Sequence, residues 1–265
     1  MEPVTEPTVD HDALLATAMK TVSVADTAEV SVAVLDLDSG ASAGYGDEAF
    51  DTASIVKVDI LATLLLQAQD ADRHLTAQEK SYATAMIENS DNDAASALWR
   101  EIGEADGLDA ANERFGLTGT KGAEGALWGL TQTTASDQLT LLQQVFGVDS
   151  ELSEASRTYL RGLMGQIAAD QRWGVSAVAD GSAWALKNGW MPRSATGLWV
   201  INSIGRVTVA DHDYLVAALS KGNPTKARGI SLVEAATKAA VSVVTADGAS
   251  ASASASSAPS VSSAR

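Results

Sequence analysis

Ser54 and Lys57 stand three residues apart at the head of an apolar segment, SIVKVDILATLLL, over residues 54–66. On a helix that spacing puts both side chains on one face, one turn apart, so a hydroxyl and an amine lie within reach of each other. Serine is a weak nucleophile unless a neighbour takes its proton. A lysine in the first helical turn faces the positive end of the dipole, and this one is flanked by Val56 and Val58, so burial and the dipole both lower its pKa. To act as a base at neutral pH it must fall roughly three units from ~10.4, worth about 4 kcal/mol, which an apolar site can supply. The plainer reading is that Thr52 or Ser54 only caps the helix.

Two more polar clusters could meet this pair. Ser90-Asp91-Asn92 lies between two helical stretches in MIENSDNDAASALW, where all three types are also ordinary cap residues. Lys187-Asn188-Gly189 ends the strand-like SAWALKNGW. A lysine there can simply guard a sheet edge. Gly189, however, leaves room for an extended substrate to approach the backbone and add as a strand, with Lys187 meeting its carboxylate.

The elements that must position these clusters follow from pattern. Asp10 or Asp12 caps a first helix with Leu14, Leu15, Ala18 and Met19 on its buried side. VSVAVLDLDSG (residues 30–40) and ASAGYGDEAF read as a hairpin. From residue 53 to about 180 the signals are helical, each stretch closed by a cap or a Gly stop. SAWALKNGW, GLWVINSIGRVTV and DYLVAALS then give three strands, the last two joined at ADHD, before a final helix TKARGISLVEAATKAAVSVV. Strands at both ends of the chain with helices between them predict an α+β fold. Its domain covers residues 10–245, with a sheet lobe at about 10–52 and 181–245 and a helical lobe at about 53–180. A flexible N-terminus (1–9) and a disordered Ala/Ser-rich tail (246–265) are expected to flank it.

Composition narrows the chemistry. The 265 residues, 46% of them hydrophobic, suffice for one large domain or two intimate lobes. Eighteen basic against thirty-four acidic residues give a net charge of −16, which repels nucleic acid and anionic membranes. Without cysteine there is no thiol nucleophile, disulfide or zinc–thiolate site. His11, His74 and His212 lie in separate polar stretches, which makes a histidine-based triad or metal site improbable. No cofactor or metal is expected, and a monomer acting on a small-molecule or peptide substrate is. The N-terminus MEPVTEPTVDHD has neither the basic nor the apolar region of a secretory signal.

Taken in order, the SxxK pair, the SDN triplet and the Lys-x-Gly strand resemble the active-site signature of class A β-lactamases and penicillin-binding proteins. The resemblance runs from the hairpin near residue 30 to the final helix near residue 244. It implies a five-stranded antiparallel sheet with terminal helices, an inserted helical lobe, a site in the cleft between them, and a secreted or extracytoplasmic location. Carried over residue by residue, it implies Ser54 as acylated nucleophile and Lys57 as its proton acceptor. Ser90 would relay protons to the leaving group, Asp91 would orient its loop, and Asn92 would hold a substrate amide. Lys187 would support Ser90 and receive a substrate carboxylate, with Asn188 and Gly189 beside the substrate. The oxyanion would lie between the backbone N–H groups of Ser54 and Trp190, with Trp190 at the cleft rim.

Two departures from the pattern stand out. Asn188 occupies the place of a threonine hydroxyl. The stretch KGAEGALWGLTQ is short and lacks the Glu-x-x-Leu-Asn pattern that activates the deacylating water, so Glu124 reads as an ordinary loop carboxylate. Arg206 reads as a solvated strand arginine, and Trp128, Trp184 and Trp199 as core packing. The expected activity is acyl transfer on an amide or ester, D-amino-acid peptides being the implied substrates. A true β-lactamase and a catalytically weak binding relative are the alternatives.

Overall fold

The computed structural model describes residues 9–181 and 183–255, with 246–255 as helical backbone. The N-terminal residues 1–8 and the end of the expected tail, 256–265, lie outside those described. The expected α+β architecture is present. Strands β1 (Glu29–Asp36), β2 (Ser42–Tyr45), β5 (Trp184–Pro192), β6 (Trp199–Val209) and β7 (His212–Asn223) form one antiparallel sheet in the order β2-β1-β7-β6-β5. A short pair, β3 (Phe50–Asp51) and β4 (Gln132–Thr133), ties the loop before α6 to the entry of α2. The helices are α1 (His11–Met19), α2 (Val56–Asp70), α3 (Ala77–Glu88), α4 (Asn92–Glu101), α5 (Glu104–Phe115), α6 (Ala135–Phe146), α7 (Glu154–Met164) and α8 (Lys226–Ala255).

Because side chains alternate across a strand, the sheet separates two cores. Ala33, Ile204, Leu215, Ala217 and Leu219 face the helical lobe. Val32, Val34, Val216 and Ala218 face α1 and α8. That double coverage is why β7 reads YLVAALS with no polar alternation. The β6–β7 hairpin turns at Ala210 and Asp211, both at positive φ (50° and 66°), as the tight two-residue turn requires.

Helix α2 runs through the middle of the helical lobe and is buried along nearly its whole length, which accounts for its apolar faces. Two local expectations change. Asp10 does cap α1, accepting from the Ala13 N–H at 3.0 Å, and Leu15 and Met19 are buried, but Leu14 is 44% exposed. Neighbours on a helix point about 100° apart, so Leu14 and Leu15 cannot share one face. Helix α8 continues to Ala255, into the Ala/Ser stretch expected to be disordered. Alanine's high helix propensity favours that continuation.

Candidate active site

Ser54 sits in a single 3-10 turn, Ala53–Ile55, that leads into α2. Neither Thr52 nor Ser54 caps the helix with its side chain. The turn is held from outside: Thr52 N–H donates to Thr131 O at 2.9 Å, and Asn202 Nδ2 on β6 donates to the carbonyls of Asp51 and Thr52 at 2.9 Å each. Ala53 is thereby fixed at φ +47°, an uncommon conformation for a residue with a Cβ. Strand β5 closes against the same turn. A Cβ on Gly189 would fall 2.8 Å from Thr52 O and 2.9 Å from Ser54 N, so glycine alone permits this approach. Ser54 is half-buried, and its hydroxyl has no hydrogen-bond partner among the described residues.

Lys57 is fully buried and donates to Ser90 O at 2.7 Å, Ser90 Oγ at 3.1 Å and Asn92 Oδ1 at 2.8 Å. Its hydrogen bonds therefore go to the SDN segment rather than to Ser54. They hold Ser90 at φ +56°, while Asp91 caps α4 by accepting from Ala94 N–H at 2.7 Å. Lys187 on β5, also fully buried, donates to the same Ser90 Oγ at 3.1 Å and to Asn188 O at 3.0 Å. One hydroxyl thus joins two amines.

Burial draws Lys57 down from its ordinary 10.5 to about 7, against an opposing pull from Asp91. Burial, and then the charge of Lys57, hold Lys187 well below its ordinary value. Of the three acceptors around Lys57, a carbonyl oxygen and an amide oxygen can only accept. Ser90 Oγ can also donate, so it accommodates a neutral Lys57.

Beside Ser54 opens a cavity of about 320 Å³. Asn92 and Ser96 on α4, Trp190 and Met191 on β5, and residues 126–130 of the loop line it. Trp128 is the residue the sequence assigned elsewhere: its ring centroid lies 5.0 Å from Lys57 Nζ, and its Nε1–H donates to Ser96 Oγ at 3.1 Å. The loop is tied down by Trp99 Nε1–H donating to Gly125 O at 2.7 Å. Glu124 is exposed and does not line the cavity.

Strand parity corrects one expectation on β5, that Asn188 lies beside the substrate. Lys187 and Gly189 face the cleft, so Asn188 projects to the opposite side. Asn188 is fully buried and spends both N–H groups on the carbonyls of Gln171 (2.6 Å) and Trp173 (3.0 Å), so neither N–H is left for a substrate, while its buried Oδ1 has no partner among the described residues. The Trp190 ring packs edge-on to Trp173 at 6.1 Å and under Lys226 Nζ at 4.1 Å, while the residue lines the cavity, as a rim position requires. Arg206 is not simply solvated: it pairs with Asp213 at 2.7 Å over the Phe146 ring, away from the cavity.

Among the described residues one group has metal-ligand proximity: Asp36, Asp38 and His212, with candidate atoms within 4.8 Å. The Asp36 oxygens already accept from Ser39 Oγ at 2.8 Å and Asp38 N–H at 2.9 Å, which explains the cluster as a loop brace.

The sequence profile of the beta-lactamase enzyme family (Beta-lactamase2) matches residues 14–82 and 78–244. LppW, a candidate lipoprotein of Mycobacterium tuberculosis, is 25% identical over 177 residues, 62% of this chain and 54% of its own length. This chain thus spans about half the length of the curated relatives it matches. Among solved structures, the TLA-1 extended-spectrum β-lactamase superposes with a TM-score of 0.76 at 15% identity, over 88% of this chain and 98% of that one. PBP-A gives 0.74 at 22% identity, over 88% and 96%. A PBP-A variant, captured as an acyl-enzyme complex with penicillin G, gives 0.74 at 21%, over 88% and 97%. At these identities the structural likeness carries the fold alone.

Proposed function

This chain belongs to the beta-lactamase enzyme family, and on that premise we propose that it is a serine hydrolase forming an acyl-enzyme through Ser54. The observation that carries the reading is the Lys57–Ser90–Lys187 connection, two buried amines on one hydroxyl, beside an unpartnered serine at the mouth of a cavity. Neutral Lys57 takes the Ser54 proton as Oγ attacks an amide or ester carbonyl carbon. The backbone N–H groups of Ser54 and Trp190 hold the oxyanion. Collapse breaks the bond to the departing nitrogen or oxygen, which collects a proton from Ser90 Oγ, and the lysine pair resupplies it. Asn92, whose Oδ1 is occupied by Lys57, keeps its Nδ2 donors for a substrate carbonyl.

The same reading gives acylation more support than hydrolysis, because among the described residues no carboxylate lines the cavity to activate water. Penicillin G, captured as an acyl-enzyme on the related PBP-A variant, serves as a carboxylate-bearing comparison probe. Kinship with a candidate lipoprotein favours an extracytoplasmic location, and among the described residues no helix is long and apolar enough to cross a membrane. The test is intact mass after exposure to a fluorophosphonate. We expect one adduct on the native protein and none on Ser54→Ala. Equal labelling of both sinks the assignment, and saturable ligand binding without any adduct would mark a binding-only relative.

A further inference from the structure

Among the described residues no ionisable side chain lines the cavity beside Ser54: its walls are Ser54, Asn92, Ser96 and otherwise small, apolar or aromatic residues. Leu127 stands at its rim with 58% of its surface exposed, and Leu130 and Met191 complete the apolar side. The nearby cations lie off the cavity walls: Lys226 sits over the Trp190 ring without lining the cavity. Lys187 is fully buried, donates to Ser90 Oγ and Asn188 O, and does not line the cavity. Asn188 faces away from the cleft. Arg193, just beyond β5, pairs with Asp51 at 2.8 Å, and Arg206 pairs with Asp213. A net charge of −16 adds a repulsive field for any approaching anion.

We infer that this cleft selects neutral esters or amides carrying an apolar acyl group, and discriminates against substrates that end in a carboxylate. A carboxylate entering the cavity would lose water and meet no cationic side chain on its walls, a cost that outweighs the contacts it makes. An apolar chain of similar size releases water from Leu127, Trp128 and Met191 instead. Asn92 Nδ2 supplies the donor that orients a neutral carbonyl. At about 320 Å³ the cavity is near the small end of ligand sites, which suits a short acyl chain or a single ring. The inference rests on the acyl-transfer reading of Ser54 and replaces the carboxylate-terminated peptide with a neutral substrate class.

The experiment compares acylation by 4-nitrophenyl hexanoate and by the 4-nitrophenyl monoester of adipic acid, matched in length but ending in a carboxylate. In each, the Ser54 Oγ–carbonyl bond forms, the bond to nitrophenol breaks, and the serine proton ends on the nitrophenolate. Second-order acylation should favour the neutral ester by about 10-fold or more, the scale of an unpaired polar group in an apolar site. Leu127→Lys, at a rim position with 58% of its surface exposed, should shrink that ratio by a few-fold by supplying the missing cation. Equal or faster acylation by the carboxylate ester overturns the inference while leaving Ser54 as nucleophile. If neither ester nor fluorophosphonate labels Ser54, acyl transfer falls. Tryptophan fluorescence titration with hexanamide and hexanoate then decides, tighter binding of hexanoate overturning the inference and tighter binding of hexanamide upholding it.

Discussion

Lys57 and Asp59 are two residues apart on α2, both fully or almost fully buried, and their surroundings differ in kind. Two steps of about 100° send them to opposite sides of the helix. Lys57 meets three acceptors and the ring of Trp128, a residue that lines the cavity. Asp59 meets one donor, Asn112 Nδ2 at 3.1 Å, with the charges of Asp109 and Asp137 nearby. Burial moves both toward neutrality at about pH 7, the amine downward and the carboxyl upward. Only Lys57 has a second hydroxyl to exchange protons with and a serine one turn away. A shifted pKa therefore marks a functional candidate only when the group also has a route to solvent or substrate.

The largest effect that can break this comparison is the loss of the amine. Lys57→Met keeps the chain length, and acylation should slow by about 10² to 10⁴, the usual range for removing a general base. Native acylation should rise as pH passes about 7, where Lys57 becomes neutral, and that limb should vanish in the variant. A rate that stays unchanged would transfer the base role to Ser90 with Lys187.

Asp59→Asn should act on stability instead of rate. With its folded pKa raised from 3.8 to about 7, Asp59 holds a proton in the folded state across a range where the unfolded chain has released it. Its contribution is full below 3.8, falls as pH rises, and is gone above about 7. Lys57 runs oppositely, its cost being relieved between about 7 and 10.5. Asp59 Oδ1 and Asn112 Oδ1 both lack a partner among the described residues, and a proton or amide on the Asp59 side supplies a donor. Asp59→Asn should therefore stabilise the protein at pH 8 by a few kcal/mol, up to the ~4 kcal/mol that three units represent, with little change near pH 4. Denaturant melts at the two pH values measure this, and a gain that does not depend on pH would show that the carboxyl is ionised in the fold.

The sequence exposed the three clusters because SxxK, SDN and Lys-x-Gly are short and contiguous, and each lies on a local element that pattern alone reveals. It exposed the five strands for the same reason. Parity is equally present there: Asn188 stands between Lys187 and Gly189 in one contiguous motif, yet adjacent strand residues must face opposite ways. Asp59 was hidden inside VKVDIL because its partner, Asn112, is 53 residues away in a stretch that looks like helix surface. Trp128 was hidden because a tryptophan in a short loop is ordinarily packing. Only the fold of that loop over α4 brings its ring to Lys57.

Trp128 supplies the smallest and sharpest test, because its ring touches the reactive amine without exchanging protons with it. Two effects of the ring on Lys57 oppose each other. By excluding water it favours the neutral amine, while its π-face favours the ammonium by about 0.5–1 kcal/mol, or less than one pKa unit. Trp128→Leu removes the π-face and keeps an apolar side chain, so the apparent pKa of acylation should move by less than about one unit. The smaller side chain also frees space next to the acyl group, in a cavity that no carboxylate lines among the described residues. Native acyl-enzyme should persist for minutes or longer, and Trp128→Leu should hydrolyse it a few-fold faster. Trp128→Phe, which keeps a ring but loses the bond to Ser96 Oγ, should lie between the two. The readout is a mass-spectrometric time course of the adduct at several pH values. If Trp128→Leu shifts the pKa by well over a unit and leaves hydrolysis unchanged, the ring is what keeps Lys57 neutral, and the difference between Lys57 and Asp59 narrows to a single aromatic side chain.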